Sequence, residues 1–537
     1  MNDLPRGADP ADRDPDDAGF DDAGFDGPDD AGRLVGDAHA GDADYAALDG
    51  ERPVEGPREA DMAVIEAGSR TLRAGVGAPS AADDMPGRPA DPAVDRELRE
   101  VEAELLGRWP ETKLDPSLVR MRAMMDVLGE PQRGYPSIHI TGTNGKTTTA
   151  RMIERLLLAF ELRVGRYTSP HVQAITERIS LDGSPIAAER FIETYRDLQP
   201  YVEMVDAAQE HRLSFFEVIT SMAYAAFADA PVDVAVVEVG MGGSWDATNV
   251  IDAQVAVVTP IALDHTDRLG TTPGEIAVEK SGIVKKGATA VLAAQPADAA
   301  HTLLKRAVEV DATIAREGAE FGVTAREVAV GGQLLTLRGL GGAYDQVFLP
   351  LHGEHQAQNA AVALAAVEAF FGIGQVHQRT LDIDTVRAAF AAVTSPGRLE
   401  VMRRSPTVVL DAAHNPAGAL ATAAAVREAF DFTHLVGVIG PSREKDVRGL
   451  LEAFEPVLAE VVVTRNSTTR AMDVDDLAAL AVEVFGEDRV QVEPRLDDAL
   501  EAAITLAEDE GAYSGAGVLV TGSVFTVGEA RLLLGRG

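Results

Sequence analysis

The chain has 537 residues, with 48 Lys and Arg against 86 Asp and Glu, a formal net charge of −38, and no cysteine. That length suits two or three domains, and a hydrophobic fraction of 46% marks the bulk as ordinary globular protein. The missing cysteine excludes disulfides, thiolate zinc sites and a cysteine nucleophile, and the acidic balance argues against a nucleic-acid partner, which demands clustered Lys and Arg.

No apolar run reaches the ~18 residues of a membrane helix, and the first ten residues lack a signal-peptide core, so the cytoplasm is the expected location. Residues 1–95 hold 24 acidic and 8 basic side chains and a short repeat, Asp16-Asp-Ala-Gly-Phe20 followed by Asp21-Asp-Ala-Gly-Phe25. Such a segment cannot bury enough apolar surface to offset an ordering entropy on the order of 1–2 kcal/mol per residue, which predicts a disordered acidic extension. Order is expected to begin near Asp95, where Val94, Leu98, Val101 and Leu105 recur at helical spacing. Ser137 to Thr141 reads as a buried strand and Lys146 to Phe160 as the helix after it. The β-branched runs 233–239 and 255–259 continue the pattern, which predicts a parallel sheet covered by helices. A second series of strands (407–411, 434–440, 461–465, 518–521) follows the hinge-like Ser395-Pro396-Gly397. The expected architecture is a large α/β domain over 96–394 and a smaller one over 396–537, with a site in the cleft between them.

Directly after the first strand comes Gly142-Thr-Asn144-Gly145-Lys146-Thr147, opening a helix. Glycines let successive N–H groups and the helix N-terminus point at an anion, Lys146 adds charge on the β/γ-phosphates, and Thr147 offers a hydroxyl to Mg²⁺. Position 140 is Ile where the longer phosphate-loop pattern has Gly, so this is the shorter G-x-x-G-K-T form. The bland alternative is a glycine turn capping a helix. A dinucleotide site is rejected, because Gly240-Met-Gly242-Gly243 is followed by Trp245 where the fingerprint needs glycine.

Mg²⁺ takes oxygen ligands. Glu238 ends a buried strand, and a carboxylate there needs either a cation or a backbone turn to satisfy it. Asp264-His265-Thr-Asp267 stands at the end of the next strand. A lone His is more often structural, but two strand ends meeting beside a phosphate loop favour a site. His352 and His355 lack zinc-protease spacing. The neighbouring amides Gln356 and Asn359 suit a purine base, or simply form a polar helix start.

Together these segments resemble the Mur ligase superfamily and, within it, the folylpolyglutamate synthase/dihydrofolate synthase family. The resemblance runs from about Leu114 to Arg531 and rests on motifs that are specific in combination. They are Gly142 to Thr147; Tyr167-Thr-Ser169-Pro-His171 with Glu177-Arg-Ile179; Ser214-Phe215-Phe216-Glu217; Glu238 to Gly243 with Asp246-Ala-Thr-Asn249; Leu263 to Thr266; Glu279-Lys280-Ser-Gly-Ile283; His355-Gln356 with Asn359; Pro396-Gly-Arg398; Asp411 to Pro416; and Thr521-Gly-Ser523.

The resemblance implies a mostly parallel phosphate-loop ATPase domain of Mur-ligase type joined to a smaller Rossmann-like C-terminal domain that ligates glutamate. It also implies ATP with two Mg²⁺ ions, and a monomer. By position, Asn144, Gly145, Lys146 and Thr147 cradle phosphates, while Asn359, Arg398 and Asp411 contact the nucleotide. Ser169, Glu238 and His265 hold Mg²⁺, and His414 lies near the incoming glutamate. Lys280 matches the lysine that the family carbamylates, turning a cation into an oxygen donor. Otherwise Lys280 is a phosphate-pairing amine or a surface charge. Ser214, Phe215, Phe216 and Glu217, with the stretch from Asp115 to Leu118, match the pterin side.

The implied reaction joins L-glutamate to a dihydropteroate or folate carboxylate through an acyl phosphate. Ser244 stands where the family often has Arg, which leaves an arginine contact open, and Thr147-Thr148 stands where many members have Gly-Ser. The rival enzyme reading is a peptidoglycan-type Mur ligase acting on a UDP-linked acceptor. A reading of another class is an ATP-binding scaffold without turnover.

Overall fold

The computed structural model describes residues 91–110, 116–374, 379–509 and 515–535. The expected extension therefore lies outside the described residues up to position 90, as does Asp115. Order starts a little earlier than the apolar spacing suggested. Asp91 accepts a hydrogen bond from the Ala93 amide at 2.7 Å and caps a helix beginning at Pro92, since an Asp-Pro pair caps and starts a helix without needing apolar residues.

The larger sheet has eight strands: β1 (Ser137–Thr141), β2 (Val164–Tyr167), β3 (Ile179–Leu181), β4 (Ser184–Pro185), β5 (Val234–Glu238), β6 (Val255–Val258), β7 (Thr289–Leu292) and β8 (Thr313–Arg316). Their order is β4-β3-β2-β5-β1-β6-β7-β8, all parallel except the β3–β4 edge. Helices cover both faces. The helix Lys146–Ala159 buries Met152, Ile153, Leu156 and Leu157 against Ile138, Ile140, Val236 and Val257, and the Ala-rich helix Glu354–Phe370 packs on the same core. Small side chains let that helix run buried for most of its length.

An antiparallel meander follows, β9 (Gly322–Ala329), β10 (Gly332–Arg338) and β11 (Ala343–Leu349), as a separate three-stranded sheet. The third sheet holds β12 (Glu400–Arg404), β13 (Thr407–Leu410), β14 (His434–Ile439), β15 (Glu460–Arg465), β16 (Val490–Arg495) and β17 (Ala516–Thr521). Its order is β12-β13-β17-β14-β15-β16, parallel from β13 to β16, with β12 antiparallel at the edge. Among the described residues no helix is long and apolar enough to cross a membrane.

The order of the larger sheet positions the site. β1 lies between β5 and β6, so the loop after β1, the Glu238 end of β5 and the segment after β6 come to one sheet edge. Ligands of open parallel sheets bind outside such carboxyl ends.

Candidate active site

The loop Gly142–Gly145 turns directly from β1 into a helix. Gly145 sits at φ +87°, and a Cβ there would lie 2.5 Å from Asn359 Oδ1, so the loop backbone and the Asn359 amide touch because position 145 has no side chain. Two residues on, the Thr147 hydroxyl is 3.0 Å from both oxygens of Glu238. The Ser169 amide donates to the same carboxylate at 3.4 Å. Burial pushes the Glu238 carboxyl up, and Lys146, Thr147 and Ser169 lower it only in part. A buried carboxylate whose hydrogen bonds come from a hydroxyl and an amide is a group that a cation would relieve.

Lys146 folds back onto its own loop, donating to the carbonyls of Gly142 and Thr143 at 3.1 Å each. Lys280 reaches the Gly142 carbonyl from another helix at 2.8 Å. Lys280 is buried, and burial together with the nearby Lys146 charge brings its ammonium down to about 7. The reading of Lys280 as a surface charge is thereby corrected: the helix Pro273–Lys280 turns its last residue inward, under the phosphate loop.

A cavity of about 380 Å³ opens over this loop, and Ser169, Glu238, His265 and Lys280 are among the residues that line it. Gln356 and Asn359 from the larger α/β portion line it too, as do Arg398, Asp411 and His414 from beyond the Ser395–Gly397 link. Asn359 donates to Gln356 at 3.0 Å, so the two amides form a pair. Asp411 already accepts from the Leu399 amide at 3.1 Å, the Ala413 amide at 3.0 Å and the Thr422 hydroxyl at 2.8 Å. Its carboxylate thus braces the loops that carry Arg398 and His414.

His414 donates from Nδ1 to the Ala412 carbonyl at 3.0 Å, which leaves Nε2 as a free acceptor, 3.8 Å from Asp264 Oδ2. Burial and then the Lys445 charge hold the His414 imidazole down, to about 3, and hold His265 down to about 4. Both rings are neutral.

A second cavity, about 210 Å³, adjoins the first and shares Ser169, Met241, His265, His414 and Val524 with it. Ser214, Phe216 and Glu217 line it as expected, together with Ser117 and with Trp109 and Trp245. Phe215 does not. It is buried in the core with the Arg178 guanidinium 5.0 Å from its ring, because consecutive helix residues point about 100° apart and only one of the two phenylalanines can face the cavity. Ser214 and Glu217 also form a capping box at the helix start, and the Glu217 carboxylate takes Arg120 at 3.0 Å. Ser244, at the position where an arginine was in doubt, hydrogen-bonds the Glu279 carbonyl at 3.0 Å and leaves the cavity wall to Trp245.

Two residues at the junction carried no assigned role in the sequence reading. Lys445 donates to Asp264 at 2.7 Å and lies 3.2 Å from His265 Nε2. Asn415 reaches Asp264 at 3.2 Å and exchanges hydrogen bonds with Asn144 of the phosphate loop. Burial pushes the Asp264 carboxyl up, but the Lys445 ammonium, which also donates a hydrogen bond to it, more than offsets this and holds it well below the usual carboxylate range. The usable signal for Lys445 was its place, in Gly440-Pro-Ser-Arg-Glu-Lys-Asp446 just after β14, at the carboxyl end of a parallel strand.

The Mur ligase middle-domain model matches residues 140–367, and the Mur ligase glutamate-ligase-domain model matches residues 397–524. The dihydrofolate synthase/folylpolyglutamate synthase of Mycobacterium tuberculosis is 54% identical over 460 residues, covering 82% of this chain and 94% of that one. The chain belongs to the folylpolyglutamate synthase/dihydrofolate synthase family of Mur ligases. Members of this family are ATP-dependent amide-forming ligases, and the chain is one of them. The folylpolyglutamate synthase of Lacticaseibacillus casei is 30% identical over 419 residues, with 77% of this chain and 94% of that one covered. The Mycobacterium tuberculosis folylpolyglutamate synthase solved in complex with ADP superposes with a TM-score of 0.79 at 53% identity, covering 83% of this chain and 99% of that one. The Thermotoga maritima folylpolyglutamate synthase superposes at 0.70 with 30% identity, over 82% of this chain and 97% of that one.

Among the described residues there is no group of three or more His, Cys, Asp or Glu that could hold a metal unaided. Ser169, Glu238 and His265 bring a hydroxyl, a carboxylate and a neutral imidazole to the lining of one cavity, a donor set that fits Mg²⁺ when phosphate oxygens and water complete its shell.

Proposed function

We propose that this family member joins L-glutamate to the carboxylate of dihydropteroate, of folate, or of both, as a cytoplasmic monomer. ATP lies in the larger cavity and the acceptor in the smaller one. The observation that carries the reading is their shared wall. Ser169, His265 and His414 belong to both cavities, so a carboxylate in one meets a γ-phosphate in the other.

The acceptor carboxylate oxygen attacks the γ-phosphorus and ADP leaves, giving an acyl phosphate. The amine of glutamate then attacks the acyl carbon, inorganic phosphate leaves, and the amine proton is released. Lys146 exchanges the Gly142 and Thr143 carbonyls for β- and γ-phosphate oxygens, and the loop amides hold the rest of the chain. Two Mg²⁺ ions, held by Thr147, Ser169, Glu238 and His265, would neutralise phosphate charge. Gln356 and Asn359 hydrogen-bond the base, Arg398 closes over the nucleotide, and Asp411 holds Arg398 and His414 in register. The free Nε2 of His414 faces the junction and orients the incoming amine. Phe216, Trp109 and Trp245 supply flat apolar surface for a heterocycle. Lys280, with its lowered ammonium, is the amine that carbon dioxide converts to a carbamate.

The test is phosphate release with ATP and glutamate in the presence of dihydropteroate, tetrahydrofolate or a UDP-muramoyl acceptor. Turnover is expected with at least one pterin acceptor and not with the UDP-linked one, and Lys146→Ala should lower it by about 10³ or more. Inert pterin acceptors, or near-normal turnover by the Lys146 variant, would sink the reading.

A further inference from the structure

The last helix, Val524–Leu534, spans two places that matter for the reaction. At its start, Val524 lines both cavities and Phe525 lines the smaller one. One turn on, Gly528 lies against the segment that carries Ser169. A Cβ at 528 would stand 1.9 Å from the Val172 carbonyl oxygen and 3.0 Å from its carbon. The obstacle is backbone, so no rotamer change can relieve it. Glycine in a helix interior is unfavourable relative to alanine, and the helix gains here a direct backbone-to-backbone approach.

Three residues later, Arg531 crosses to the same segment. It is 5% exposed, is held by Glu400 at 3.0 and 3.1 Å, and donates to the Gln173 side-chain oxygen. The receiving segment is stiff. The amides of Val172, Gln173 and Ala174 all donate to Glu177, at 2.8, 2.9 and 2.9 Å. Ser169, at its start, donates to Glu238. A shift at Val172 is therefore carried along the segment to Ser169.

We infer that Gly528 is a positioning residue: its bare Cα seats the last helix on residues 169–173 and so fixes Ser169 against Glu238 and the phosphate loop. A methyl group at 528 lifts the helix or pushes the segment back. Either movement changes the distance between the Val524–Phe525 end of the helix and Ser169, which border the same junction. The inference rests on the proposed role of that junction in phosphoryl transfer.

Gly528→Ala, Gly528→Val and Gln173→Ala are compared with the full-length protein and with Leu533→Ala, a half-exposed position on the same helix. Melting temperature, kcat, KM for each substrate and the Mg²⁺ concentration for half-maximal rate are measured. The Mg²⁺ dependence of binding a non-hydrolysable ATP analogue is followed by calorimetry. Gly528→Ala is expected to stay folded but melt several degrees below wild type, to lose about 10- to 100-fold in kcat, and to need several-fold more Mg²⁺ in both assays, with KM for glutamate little changed, and Gly528→Val to lose more of each. Gln173→Ala adds no volume and should show the same split at a few-fold level, and Leu533→Ala should match wild type. Wild-type kcat and wild-type Mg²⁺ dependence in Gly528→Ala would overturn the inference, as would an effect confined to melting temperature. If the wild type itself turns over no pterin acceptor, the functional reading fails, and the calorimetric arm alone decides the role of Gly528.

Discussion

Asn144 and Asn415 exchange amide hydrogen bonds, 3.3 Å in one direction and 3.1 Å in the other. One belongs to the phosphate loop and the other to the segment after β13, 271 residues away in the chain. The pair therefore spans the cleft and ties the nucleotide loop to the portion expected to deliver glutamate. Asn415 also donates to Asp264 at 3.2 Å. Asn415→Asp keeps the helix cap on Gly418 but replaces that donor with a carboxylate facing another carboxylate. The expected result is a loss of about 100-fold in kcat/KM with a change of at most a few degrees in melting temperature, read by steady-state phosphate release and thermal unfolding.

The proposed carbamate on Lys280 predicts a dependence on carbon dioxide with a defined direction. An ordinary lysine is almost wholly protonated at neutral pH, whereas an ammonium brought down to about 7 is roughly half neutral there and can form a carbamate. Activity after removal of carbon dioxide should fall and recover on adding bicarbonate, and recovery should be faster at pH 8 than at pH 6. Lys280→Arg should show neither response. A wild-type rate indifferent to carbon dioxide would remove the carbamate from the mechanism.

Asp246 is a buried residue of the smaller cavity's lining, and burial raises its carboxyl to about 6, against hydrogen bonds from Met241 and Thr248 that favour the charged form. A folded-state value above the unfolded one of about 3.8 means that its contribution to stability is full below pH 4 and lost as pH rises through 6. Asp246→Asn stays neutral throughout. The variant's melting temperature relative to wild type should therefore rise between pH 4 and pH 7, and a difference independent of pH would contradict the assignment.

Arg166 and Glu154 form a pair 2.7 Å apart with about 2 and 3% of their side chains exposed. Ser180 donates to the other Glu154 oxygen at 2.7 Å and Arg166 reaches the Thr168 hydroxyl at 2.8 Å. Glu154→Ala strands a guanidinium under the larger sheet and should cost about 3–5 kcal/mol in denaturant unfolding. The double variant Glu154→Ala with Arg166→Met should recover much of that loss.

The parallel strands were readable because they are β-branched runs buried on both faces, and β1, β5 and β6 lie within a residue of where those runs place them. The meander β9–β11 was not, since its strands interleave buried positions with exposed Arg, Glu and Asp irregularly and give neither a clean alternation nor a continuous run. At the site, the phosphate loop and Glu238 announced themselves through local order along the chain. The choice between Phe215 and Phe216 depended on which way a helix is rotated against its neighbours, which no spacing in one segment encodes. Lys445 and Asn415 became visible only once two distant strand ends were placed face to face.

The chain contains two tryptophans, Trp109 and Trp245, and both line the smaller cavity. Every indole in the molecule thus looks onto one compartment. Intrinsic emission becomes an optical gauge, needing no label, of whatever fills that compartment.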